Sequence, residues 1–154
     1  MKSRRLMAIS GSLLSALMTT GCLGLRAFPG SDRWMSPWFR ASEVAQVKEN
    51  LDTFSRGQQV YYLEMGEFAE SFAEMNIGLS QTEGNYQIEI VEVTPEKVIM
   101  IAKTEAPNAL RLSAGVFITV HLGNKSSTAI VCESKTATPM PRLEGEEAVC
   151  DDAR

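Results

Sequence analysis

The sequence predicts an α+β fold: one long N-terminal helix packed on an antiparallel sheet of about four strands, closed by a C-terminal disulfide loop. Three observations carry this. Apolar residues recur every three or four positions from Val44 to Met65, the period changes to two after Gly84, and two cysteines bracket the last stretch of chain. With 154 residues, 44% hydrophobic and 22% charged, the composition is that of one globular domain with one core.

The helix begins at Ser36-Pro37, with Ser as N-cap and Pro at the first helical position, where its missing N–H costs nothing. Val44, Val47, Leu51, Phe54, Tyr61 and Met65 then form one stripe over six to eight turns, interrupted only by Gln58. Glu43, Lys48, Glu49, Asp52 and Arg56 fall on the solvated side. Gly57 costs about 1 kcal/mol of helix propensity relative to Ala, and close approach to a sheet is the expected reason for it. Gly66 is placed as the C-terminal stop. Met65 and Met75 read as core filler. Residues 67–84 read as a connection whose Phe68, Phe72, Ile77 and Leu79 tuck under the helix end.

Beyond Gly84, Tyr86, Ile88 and Ile90 alternate with Gln87 and Glu89, as in a half-buried strand, and the phase slips at Val91, the mark of a bulge. Thr94-Pro95-Glu96 makes a turn into the apolar strand Val98–Ala102. After the loop at Pro107, Val116, Ile118, Val120 and Leu122 share one strand face, with Phe117, Thr119 and His121 on the other. Gly123-Asn124-Lys125 turns into the last strand, Ser127–Cys132. Turns this short predict an antiparallel meander with the helix stripe buried on one face.

The N-terminus carries an export signal. Met1-Lys2-Ser3-Arg4-Arg5 is basic, and Leu6 to Met18 is an uncharged run of thirteen residues, short of the roughly twenty that span a bilayer. Thr19, Thr20 and Gly21 stand directly before Cys22, and this ending resembles the bacterial lipobox, which is cut before a cysteine that carries the lipid. Thr19 departs from the usual branched aliphatic residue. An ordinary cleaved signal with a cysteine nearby is the other reading of the same residues. The expected organisation is a signal peptide over 1–21, a lipidated Cys22 and tether over 22–35, and a globular domain over 36–154. Trp34 and Trp38 follow the tether and are expected to pack on the domain, with the lipid interface as the other place for them.

Three cysteines are present, at 22, 132 and 150. If Cys22 is lipidated, Cys132 and Cys150 are left as an even pair, which an exported domain bonds. Closing the 17-residue loop between them stabilises by roughly 3 kcal/mol in the chain-entropy model. Two free thiols or a metal pair is the rival reading, with His121 the sole histidine to support it.

Little else points to chemistry. His121, on a strand face with Phe117 and Thr119, reads as structural. The sequence shows neither a nucleophile-elbow serine nor a Gly-rich phosphate loop, and no cofactor is expected beyond the lipid. Glu144, Glu146, Glu147, Asp151 and Asp152 surround the last cysteine. They are weak calcium candidates, and a solvated acidic tail is the plainer reading. The formal net charge is −4; without the three basic residues of the signal, 12 basic and 19 acidic residues remain, a net −7. Such a domain repels nucleic acid and anionic membrane surfaces. An enzyme is the least supported class.

Residues 55–79, SRGQQVYYLEMGEFAESFAEMNIGL, resemble the helix end and following loop of type IV pilin-like proteins of the G/H type, found chiefly in cyanobacteria. Gln58-Gln59, Tyr61-Tyr62, Gly66-Glu67-Phe68 and Gly78-Leu79 carry the likeness. NYQIEI (85–90), AGVFITV (114–120) and AIVCES (129–134) resemble its successive strands, and the Cys132–Cys150 region resembles its disulfide-closed C-terminus. Over roughly residues 40–150 this implies a pilin-like head. The N-terminus departs from the family pattern. A pilin leader ends in Gly before an uninterrupted apolar helix with glutamate at its fifth position, whereas here Arg26 and Pro29 intervene and no glutamate precedes Glu43. The lipobox-like N-terminus and this resemblance together point to a lipid-anchored, non-catalytic pilin-like protein of the periplasm or cell surface. It would act by protein contact with type IV pilus or type II secretion components. A genuine minor pilin or pseudopilin with a diverged leader is the first alternative, and a periplasmic ligand-binding or enzymatic domain the second.

Overall fold

The protein is described by a computed structural model over residues 37–151. Cys22, the export signal, the tether with Trp34, and Asp152 lie outside the described residues, as does the side chain of Trp38. Helix α1 spans Pro37–Met65, 29 residues or about eight turns, starting at the proline that favours a first helical position. Its stripe sinks Val47, Leu51 and Phe54 completely and Val44 in part.

Gln58, the interruption in the stripe, is itself fully buried. Its carboxamide accepts the Ala69 N–H at 2.9 Å and donates to the Ala69 carbonyl at 3.0 Å. Buried backbone requires partners, and one side chain here supplies both. The continuous apolar face therefore ends at Phe54. Tyr61 is only half-buried, and Met65 is 63% exposed rather than the core filler expected of it. The reason is the sharp reversal at Gly66 (φ +79°), which sends the chain back along the helix instead of over its end. Phe68 then packs on Tyr62 (ring centroids 4.8 Å apart) and Phe72 on Phe54 (4.3 Å). Met75 and Ile77 join the core edge, whereas Leu79 stays exposed. A short helix, α2 (Phe72–Met75), forms within this connection. Gly57 answers to the same segment: a Cβ there would overlap the Ile77 side chain, so its close neighbour is the returning connection and not a sheet.

The main sheet is an antiparallel meander of five strands in chain order: β1 (Thr82–Glu83), β2 (Tyr86–Val93), β3 (Lys97–Thr104), β4 (Arg111–His121) and β5 (Asn124–Ser134). The fifth strand beyond the four expected is β1, a two-residue extension from the connection. The turn at Gly84 (φ +55°) pairs Glu83 with Tyr86 and Thr82 with Gln87. The predicted bulge falls between Ile90 and Glu92, at Val91. Toward α1 the sheet presents Tyr86, Ile88, Met100, Ala102, Leu112 and Ala114, which enclose Val47, Leu51 and Phe54. A second cluster of Phe68, Val98 and Val116 lies under Tyr62.

The region between the cysteines is not a loop. It forms a hairpin, β6 (Met140–Glu144) and β7 (Glu147–Asp151), whose strands contact β4 and β5. The Ser113 hydroxyl donates to the Pro139 carbonyl at 2.6 Å, and Pro141 occupies the space that a side chain at Gly115 would fill. Because Ser113 and Gly115 alternate with the helix-facing Leu112, Ala114 and Val116, the hairpin covers the opposite sheet face. The order of layers is helix, sheet, hairpin.

Two outcomes follow from this packing. Gln58→Ala leaves the Ala69 N–H and carbonyl buried without partners, and should lower unfolding free energy by about 2–4 kcal/mol in urea titrations. Tyr86 donates to the Leu110 carbonyl at 2.9 Å, and its pKa is raised from 10.0, chiefly by burial and then by the Glu43 carboxylate. The fold favours the neutral phenol, so its contribution is complete below the unfolded value and is lost as pH rises through the higher folded value. Stability should therefore fall above about pH 10, and Tyr86→Phe should make that fall shallower in denaturation curves taken from pH 8 to 11.

Candidate functional site

The predicted site residues converge on the outer hairpin. Cys132 of β5, buried between the layers, and Cys150 of β7 form a disulfide with Cα atoms 5.6 Å apart. Free thiols and a metal pair are thereby set aside for these two residues. The bond ties the end of the hairpin to the strand beneath it. At the opposite end His121 Nδ1 lies 2.8 Å from Glu146 Oε1, joining the tip of β4 to the β6–β7 turn. The histidine does not sit among core residues; it is exposed, and its role is a contact between layers.

The acidic residues follow the hairpin geometry. Glu144 and Glu147 face each other across the turn, Glu144 is bound by Arg142 at 2.7 Å, Glu146 is turned to His121, and Asp151 is paired in register with Met140. These four acids are solvent-exposed, and they stand on a paired hairpin. Among the described residues no group of three or more His, Cys, Asp or Glu side chains is gathered so as to hold a metal ion.

Concavities among the described residues border these layers. A cleft of ≈ 210 Å³ between the β2–β3 turn and the hairpin is lined by Thr94, Lys97, Phe117, Pro141, Arg142 and Leu143. That is below the roughly 300 Å³ at which small-molecule sites begin. A wider, open groove runs between the first turns of α1, the β1–β2 turn and the β3–β4 loop. Its floor holds Val44, Tyr86 and Leu110, and at its rim the Glu43 carboxylate accepts the Asn85 N–H. The far end of α1 is acidic. Tyr61 has a raised pKa there, through partial burial and then the fields of Glu74, Glu67 and Glu70.

Sequence reasoning missed two anchoring residues. Gln58 was visible only as a break in periodicity. Gln59 donates to the Ser127 hydroxyl at 3.0 Å, fastening α1 to β5 over 68 residues of sequence. The available signal was a glutamine inside an otherwise apolar stripe, followed directly by a second beside it.

No helix among the described residues is long and apolar enough to cross a membrane. Neither the curated proteins nor the solved structures returned a match to the chain. The model of the type IV pilin-like G and H family, in contrast, matches residues 45–150, from the third turn of α1 to the second cysteine of the disulfide. That span contains the Gln58 anchor, the five-stranded meander and the stapled hairpin, and the chain belongs to the type IV pilin-like G and H family.

Proposed function

We propose that the protein is a lipid-anchored pilin-like head that acts by contact with other proteins of the cell envelope, as an accessory of type IV pilus or type II secretion machinery. The observation that carries this reading is the pairing of a pilin-like domain with an N-terminus unlike a pilin's. The family match begins at residue 45, and ahead of it the sequence has Arg26 and Pro29 where a pilin has an uninterrupted apolar run. The lipobox-like Thr19-Thr20-Gly21-Cys22 offers another means of attachment. A lipid chain gains about 0.8 kcal/mol for each buried methylene, so several chains on Cys22 would hold the domain at the membrane without a spanning helix. In this reading the domain is exported, its disulfide suits an oxidising compartment, and no catalytic step is assigned to it.

Metabolic labelling with palmitate tests the anchor. Label should appear on the wild-type chain and vanish in Cys22→Ser, with the variant released from the membrane fraction. Label retained in Cys22→Ser would overturn the anchor. Mass spectrometry of the mature N-terminus separates the reading from that of a filament subunit: diacylglyceryl cysteine supports the first, a methylated N-terminal residue without lipid the second.

A further inference from the structure

The outer edge of β5 is built to pair with itself, and we propose that two copies of this chain join there, antiparallel, about a two-fold axis through Ala129. The backbone directions can be read from the ladder. Ile118 N–H donates to the Glu96 carbonyl on the β3 side, so the even-numbered amides of β4 face β3 and its odd-numbered amides face β5. The residues opposing those odd positions in β5 are even-numbered, as in Ser113↔Cys132 and Gly115↔Ile130. The amides of Lys125, Ser127, Ala129, Val131 and Glu133 therefore point away from the sheet. Among the described residues β5 pairs only with β4 and makes no backbone–backbone hydrogen bond on its outer edge, where the Ser127 carbonyl has a long contact of 3.4 Å from Gln59 Nε2 and the Val131 carbonyl lies 4.0 Å from Cys150 Sγ, each leaving a lone pair for a further donor.

An eleven-residue edge strand is long, and proteins normally blunt such edges with central charges, proline or a bulge. Here Ser126 to Cys132 carry no charge and no proline, and the ladder to β4 runs without a register shift. The charges stand at the two ends, Lys125 and Glu133, equally spaced about Ala129. Antiparallel pairing centred on Ala129 sets outward-facing residues only against outward-facing ones: Ala129 against its copy, Ser127 against Val131, and Lys125 against Glu133, twice. Lys125 has no ion pair among the described residues, and Glu133 meets Lys48 of α1 while remaining about half exposed. Ala129, small and exposed, lets the strands close at the axis. This charge complementarity argues for a second copy over an unrelated strand, because it fixes both register and direction. With the axis perpendicular to the sheet, the two five-stranded sheets become one of ten strands, with both α1 helices on one face.

Charge reversal tests the pairing on the full chain solubilised in detergent, with mass measured by sedimentation velocity across a concentration series. The wild-type chain should dimerise. Lys125→Glu sets like charges opposite each other at both ends, and so does Glu133→Lys; each should weaken dimerisation by about tenfold or more. An equimolar mixture of the two variants, and the double variant Lys125→Glu/Glu133→Lys, should recover it, because opposite charges again meet. Thermal melts by circular dichroism confirm that each variant is folded; where Glu133→Lys fails to fold for want of its Lys48 contact, Lys125→Glu alone against wild type decides. A monomer at all concentrations would overturn the proposal. So would association unchanged by Lys125→Glu, the outcome expected of clustering through lipid or micelle. A chain that pairs only with an extended segment of another protein would overturn it too.

Discussion

The architecture depends on β4 being buried on both faces. From Leu112 to Phe117 every residue of this strand is sealed, the even positions under α1 and the odd ones under the outer hairpin. A strand covered on one side alternates apolar and polar residues, and β2 does so. A strand covered on both cannot, and must fit its two neighbours separately. On the helix side it offers Leu112, Ala114 and Val116. On the hairpin side it offers Ser113, whose hydroxyl is satisfied by Pro139, and Gly115, whose missing side chain admits Pro141. The small residues are thus what allow a second layer to sit so close.

The second constraint is polar. The connection after α1 turns back along the helix and buries the Ala69 backbone, and Gln58 meets both its hydrogen-bonding groups. Gln59 makes the adjoining attachment to β5. Together they fix the helix relative to both the connection and the sheet, and Gln58 explains the one interruption of the apolar stripe. A leucine at position 58 would extend the stripe and leave Ala69 unsatisfied, which costs more than the added burial contributes.

These layers bear on function by deciding which surfaces are left for contact. One face of the sheet is taken by α1 and the outer face of β4 and β5 by the disulfide-tied hairpin, so the edge of β5 and the acidic far end of α1 remain.

The sequence by itself determined the helix, its start at Pro37, the bulge at Val91 and the order of the strands, and it made the Cys132–Cys150 pair an expectation that depended on the fate of Cys22. Each of these is local or arithmetical: hydrophobic period, proline geometry, a phase slip, a count of thiols. Tertiary structure alone decided the rest. Met65 lies outside the core because the chain reverses at Gly66, and Gly57 is small because Ile77 returns to it. The stretch from Met140 to Asp151 looks like an acidic, proline-containing loop, since its apolar residues are few and its strands short. Only the floor provided by β4 and β5, with the disulfide at one end and His121–Glu146 at the other, makes it a hairpin. Periodicity reports how a segment meets one neighbour, whereas these features depend on which second neighbour arrives from a distant part of the chain.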